Sequence, residues 1–180
     1  MQHNFFYKKL GTLELQLLNS LKNIVPKLLY EPESDFPENV LTINQEQYSS
    51  EYINFNIVRN QTINYLSQFF DKAGHITSNI TKQLPMTYLA EHSDSNTIYT
   101  DVTPADNIIK LQIPIITNSG VGMMWAPSLH DWACTHFEEG SIYIIDNVRK
   151  HSVVNMGSSD RYYITSRWKV DSLLDKSILE

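Results

Sequence analysis

Two residues in the distal third of the chain have side chains suited to chemistry: His151 and Arg161, ten positions apart. Between them, Met156-Gly157-Ser158-Ser159-Asp160 is a cluster of turn formers. His151–Asn155 and Arg161–Thr165 are rich in β-formers, so the stretch predicts a hairpin with the two residues symmetric about Met156. Directly opposed Cβ atoms in a hairpin stand about 5 Å apart. An imidazole beside a guanidinium on an inner face suits a metal-bound anion. The neutral imidazole coordinates the metal, and the guanidinium grips a carboxylate as a fork. The plain alternative is a packed strand histidine with Arg161 turned to water.

The surrounding text narrows the choice. Glu138-Glu139-Gly140 precedes the β-rich Ser141–Ile145, Asp146-Asn147 follows it, and His151 comes eleven residues after Gly140. Upstream stands Lys110-Leu111-Gln112-Ile113-Pro114, leading to Thr117-Asn118; downstream stands Trp168. Together these resemble the aspartyl/asparaginyl β-hydroxylase family over roughly residues 86–170. The resemblance implies a double-stranded β-helix, a cupin-like jelly roll, and an iron(II)- and 2-oxoglutarate-dependent dioxygenase. It implies hydroxylation of an amino acid, peptide or protein side chain. His151 would be the C-terminal metal ligand and Arg161 would bind the distal carboxylate of 2-oxoglutarate. Gln112 stands where the family has a histidine that helps hold 2-oxoglutarate, and its amide can still donate a hydrogen bond. Arg167 shares the strand and parity of Arg161; it is a candidate for a substrate carboxylate or a solvated strand end.

The rest of the metal site departs from the family. Such oxygenases use two histidines and a carboxylate, with positions left open. Laid down without gaps, the first histidine falls on Asp101 and the carboxylate on Thr103. Three readings stand. Asp101 and His151 hold the metal, with water completing the shell. Or His92-Ser93-Asp94 supplies a histidine and a carboxylate to join His151, ahead of the strand-like Thr97–Thr103. Or the metal site is lost, and a non-catalytic barrel binds a carboxylate ligand or a protein partner.

The elements that must position these residues are legible in part. Apolar residues at 10, 13, 17, 21, 24, 25, 28 and 29 have helical spacing, with Pro26 breaking the run near its end. Residues 52–58 alternate in part and read as a strand. Residues 61–73 read as a helix stopped by Gly74. The many short β-rich runs after residue 86 predict a barrel or sandwich core, with residues 1–80 as a helical or mixed cover, all in one domain. A net charge of −6 with no basic stripe disfavours nucleic acid. No apolar run reaches membrane-spanning length. Cys134 is the one cysteine, so no intrachain disulfide forms. With no signal-peptide pattern at Met1-Gln2-His3-Asn4, the expected location is cytoplasmic.

Overall fold

The computed structural model describes residues 6–32, 40–43, 49–93, 108–125, 133–146 and 149–179. Asp94, Asp101, Thr103 and the strand expected at 97–103 lie outside the described residues, as do residues 127–132 of a loop expected over 127–134; its last two residues, Ala133 and Cys134, are in a strand instead.

Eleven described strands form two sheets. They are β1 (Tyr7–Thr12), β2 (Tyr30–Pro32), β3 (Val40–Ile43), β4 (His75–Gln83), β5 (Thr87–His92), β6 (Ile108–Ile116), β7 (Val121–Trp125), β8 (Ala133–Thr135), β9 (Ser141–Ile145), β10 (His151–Asn155) and β11 (Arg161–Lys169). One sheet has seven strands in the order β1-β9-β6-β11-β4-β3-β2; the other has four, β5-β10-β7-β8. Every pairing is antiparallel. The two sheets enclose a small core of Val40, Leu89, Met123, Trp125, Phe137, Tyr143, Ile145 and Val153. This is the expected double-stranded β-helix, although β1 to β4 bring chain from before residue 86 into the larger sheet.

Two helices cover the outer face of the larger sheet. Helix α1 (Leu15–Ile24) buries Leu17, Leu18 and Leu21. Helix α2 (Ser50–Leu66) buries Phe55, Val58, Thr62 and Leu66, and Ser49 caps it by accepting from the Tyr52 amide at 3.2 Å. They pack on Ile80, Ile109, Leu111, Ile113, Ile115, Ile142, Ile144, Ile164 and Trp168. Among the described residues no helix is long and apolar enough to cross a membrane.

Three expectations about these elements fail, each for a physical reason. Residues 52–58 are helical: the alternation of Ile53, Phe55 and Ile57 suggested a strand, but Ile53 and Ile57 are exposed on the helix. The helix expected over 10–29 begins only at Leu15, because Leu10 belongs to β1, which pairs with β9. Pro26 sits in a 3₁₀ turn at Val25–Lys27 that ends the helix, as its missing N–H demands. The helix expected over 61–73 stops at Leu66, and Phe70 instead stacks on Trp168 at 5.0 Å.

The hairpin between β10 and β11 also fails, and this matters most for function. The two strands belong to opposite sheets. Residues 156–160 carry the chain from one sheet across to the other, a gap of about 10 Å. That crossing closes one end of the barrel. Asn155 is fully buried there, and its Nδ2 donates to the carbonyls of Leu84 and Ser159, both at 3.0 Å. Asn118 donates to the Asn155 Oδ1 at 3.1 Å. Gly120 and Gly157 meet backbone to backbone; a Cβ on Gly120 would come 2.3 Å from the Gly157 amide nitrogen.

Candidate active site

The alternation of side chains splits the larger sheet into two faces. Leu111, Ile113, Ile144, Ile164 and Trp168 face the helices. Their neighbours along the strands face the barrel, where Tyr143 and Ile145 join the inner core. Register places Gln112 opposite Thr165 and Tyr143, Lys110 opposite Arg167 and Ile145, and Arg161 opposite Gln83. These charged and amide side chains therefore share one inner wall.

Arg161 is essentially inaccessible to solvent. Its Nη1 donates to Gln83 Oε1 at 3.2 Å, and its guanidinium lies 4.2 Å from the centre of the Tyr163 ring. Burial pushes its pKa down, while Tyr163 pushes it up. An isolated buried cation costs several kcal/mol, so such a group needs an anion. Among the described residues no carboxylate supplies one. Arg161 Nε and Gln83 Nε2 are both buried donors with no acceptor. Two unsatisfied donors on cross-strand neighbours are of the kind that could hold a carboxylate. Gln83 escaped the sequence reading because β4 had not been recognised as a strand.

His151 opens β10 on the facing sheet and is almost fully buried. Because β10 and β11 are not paired, His151 and Arg161 are not cross-strand neighbours. His151 lies four residues along β10 from Asn155 at the closed end, a rise of roughly 13 Å. Arg161, by contrast, begins β11 just after the closing turn. The histidine and the arginine thus sit at different heights on opposite walls.

His151 has a partner in His92. The two are paired in register between β10 and β5, and their ring centroids are 4.4 Å apart. A β-bulge makes this possible. Leu89 faces the inner core, so strict alternation would turn Glu91 inward and His92 outward. Between the Leu89 and His92 pairings β5 has two residues where β10 has only Ser152, and the extra residue restores His92 to the inner face. His92 therefore ends a strand; the sequence reading had put it ahead of one. Each imidazole makes the same backbone contact: His92 Nδ1 lies 2.7 Å from the Ala90 carbonyl oxygen, and His151 Nδ1 lies 2.9 Å from that of Arg149. A ring nitrogen facing a carbonyl must donate. That fixes the neutral rings as Nδ1–H tautomers, with lone pairs on Nε2, the form in which histidine binds metals.

The donor set fits a divalent metal in part. Among the described residues no group of three His, Cys, Asp or Glu side chains is placed to hold one. The two histidines offer imidazole nitrogens, and Asp94 follows His92 by two residues. Gln112 is buried on the inner wall with Oε1 unpartnered. Arg167 and Lys110 are half-buried on the same wall.

No family model matches the chain, and no curated protein matches it. Solved structures do. An oxidoreductase of the 2OG-Fe(II) oxygenase family from Burkholderia pseudomallei is 10% identical, with a TM-score of 0.60 over 91% of this chain and 82% of that one. The non-haem alpha-ketoglutarate-dependent carbocyclase SnoK of nogalamycin biosynthesis is 11% identical, with a TM-score of 0.64 over 91% and 79%. A prolyl-4-hydroxylase from Pseudomonas putida is 11% identical, with a TM-score of 0.54 over 92% of each chain. At these identities the likeness is one of fold: this chain has the double-stranded β-helix of the 2OG-Fe(II) oxygenases.

Proposed function

We propose that the chain is an iron(II)- and 2-oxoglutarate-dependent oxygenase that hydroxylates a side chain of an amino acid, peptide or protein. The observation that carries this reading is the buried Arg161–Gln83 cradle, with two donors awaiting a carboxylate. It lies beneath a histidine pair in a barrel shared with such oxygenases. The sequence around 110–118 and 138–168 also resembles the aspartyl/asparaginyl hydroxylases, which act on side chains of this kind.

In this reading His92, Asp94 and His151 hold the metal. Of the two ligand sets that include His151, the one with His92 is favoured by the ring contact and the bulge that creates it. Asp101, the alternative, lies outside the described residues. The chemistry that iron(II) supplies in such a site is activation of dioxygen, coupled to oxidative decarboxylation of 2-oxoglutarate. The chain's own residues bind and orient. Arg161 and Gln83 hold the distal carboxylate at the closed end and neutralise it away from water. The carbonyls of Ala90 and Arg149 fix the two imidazole tautomers. Gln112, level with Thr165, presents an amide to whatever occupies the middle of the barrel.

The test is metal binding under anaerobic conditions, followed with manganese(II) as a stand-in. His92→Ala and His151→Ala should each abolish detectable binding, and with it any uncoupled conversion of 2-oxoglutarate to succinate. Asp101→Ala should leave both intact. Loss of metal on Asp101→Ala but not on His92→Ala would move the site to Asp101. A wild-type chain that binds no metal even with saturating 2-oxoglutarate would leave only a carboxylate-binding barrel.

A further inference from the structure

The two imidazoles are held alike but not equally. Each donates from Nδ1 to the carbonyl two residues before it. Ala90 stands inside β5, between Leu89 and His92, which both pair with β10. Arg149 stands before β10, whose pairings among the described residues begin at His151. The ladder thus constrains the first acceptor from both sides and the second from one side only. A carbonyl turns with its whole peptide plane, and a ring bonded to it must follow.

Asp146 supplies what the ladder does not. Its carboxylate is almost fully buried and holds Arg149 at two points. Oδ2 accepts from Arg149 Nε at 2.8 Å, and Oδ1 accepts from the Arg149 backbone N–H at 3.4 Å. The aspartate is itself fixed through both of its backbone groups. Its N–H donates to the Phe6 carbonyl at 2.9 Å, and its carbonyl accepts from the Trp125 indole N–H at 3.2 Å. Trp125 is the cross-strand partner of His151 and stacks on Phe6. The Arg149 guanidinium lies 5.0 Å from the centre of the Phe6 ring. Phe6, Trp125, Asp146 and Arg149 therefore close a frame around the start of β10. Taking a carboxylate out of water is costly, and ending a strand does not call for one. What this one adds is a fixed position for the Arg149 carbonyl.

Resting on the function proposed above, in which His151 holds the metal, we infer that Asp146 is a positioning residue for that histidine. Acting through Arg149, it keeps the His151 ring in the Nδ1–H tautomer, with Nε2 free for the metal. Metal-binding histidines depend on the partner of their other ring nitrogen, and losing such a partner weakens metal binding by about 10- to 100-fold. Asp146 stands one link further back, so the lower end of that range applies. The effect falls on His151 and spares His92, whose acceptor lies within a strand.

The experiment reads the tautomers by nitrogen NMR of the isotope-labelled, metal-free chain, above the imidazole titration range. Spectra of His92→Gln and His151→Gln assign the two rings. The wild type should show both as Nδ1–H. Asp146→Asn leaves one donor facing another whichever way its amide turns. It and Arg149→Ala should each give mixed tautomers at His151 and none at His92. Both should weaken manganese(II) binding about tenfold, while Arg149→Lys, which keeps a cation beside the carboxylate, should retain most of the affinity. If Asp146→Asn does not fold, Arg149→Ala decides. A pure Nδ1–H ring at His151 in the folded variants overturns the proposal. So does a change in both histidines together, which would mark a general loosening of the sheet. Mixed tautomers at His151 with unchanged manganese(II) affinity overturn it as well. A wild type that binds no manganese(II) defeats the parent reading alone; the tautomers of the metal-free chain then decide the role of Asp146.

Discussion

Along β11, even- and odd-numbered residues face different worlds. Tyr162, Ile164 and Trp168 pack towards the helices, with Ser166 fully buried among them. Arg161, Tyr163, Thr165 and Arg167 face the barrel. Both faces bury polar groups, but they satisfy them differently. On the helix side the Trp168 indole N–H donates to Ser166 Oγ at 2.7 Å, Ser166 meets Ser78 at 2.7 Å, and Ser78 meets His75 Nε2 at 2.9 Å. That chain is complete within the protein. On the barrel side Arg161 Nε, Gln83 Nε2 and Gln112 Oε1 are buried without partners. Off the strands, Asn56 Oδ1 and Arg59 Nε of α2 and Thr117 Oγ1 just after β6 are buried without partners too. A fold rarely leaves three buried polar atoms unmet on one wall unless something else meets them. This difference between the two faces of the strands is what supports reading the barrel face as the proposed binding wall.

Three experiments test that contrast. The largest effect is expected on the helix side. Trp168 is fully buried, stacked on Phe70 and edge-on to His75. Trp168→Ala should cost about 3–5 kcal/mol of stability by leaving a cavity, measured by urea denaturation. If stability holds and 2-oxoglutarate binding is lost instead, the faces have been assigned the wrong way round.

The barrel side should behave in the opposite sense. Arg161→Ala should weaken 2-oxoglutarate binding by about 1.5–3 kcal/mol, the range for hydrogen bonds to charged groups. It should leave the urea midpoint nearly unchanged or raise it, because it removes a buried cation that lacks an anion. Gln83→Leu should cost less, about 1 kcal/mol of affinity, since it removes one donor and the acceptor that orients Arg161. Unchanged affinity in Arg161→Ala, with the fold intact, would deny the cradle its role.

The smallest effect concerns pH. Burial, aided by Arg59, holds the His75 pKa below its ordinary value of 6.5. The unfolded chain therefore takes up this proton at higher pH than the folded chain does. Stability should fall as pH drops below about 6.5 and level off once the folded chain is protonated too. With its proton on Nδ1 the neutral ring can accept from Ser78 Oγ at Nε2, a role an imidazolium cannot take. His75→Gln should flatten this part of the pH–stability curve, while 2-oxoglutarate affinity shows no matching change. A slope that persists in the variant would place the titration elsewhere.

Much of the architecture was legible in the sequence because it follows from local pattern. The β-rich runs at 141–145, 151–155 and 161–165 are strands, and Pro26 ends the first helix. The turn residues at 156–160 do reverse the chain. Their chemistry says only that a turn forms, not whether the next strand pairs with the last or crosses to another sheet. Pairing across sheets depends on contacts with β4, β6 and β7, which are remote in sequence. The same limit hid the site. His92 was placed ahead of a strand rather than at the end of one because nothing in Thr87–His92 announces a bulge, and the bulge exists only relative to β10. Gln83 had no reason to stand out until β4 lay beside Arg161. The sequence alone determined which residues carry imidazole, guanidinium and amide groups, and that β-strands carry His151 and Arg161. The tertiary structure decided which of them share a wall, at what height, and with which polar atoms left unmet, because register between distant strands is set by how both faces of a sheet are buried at once.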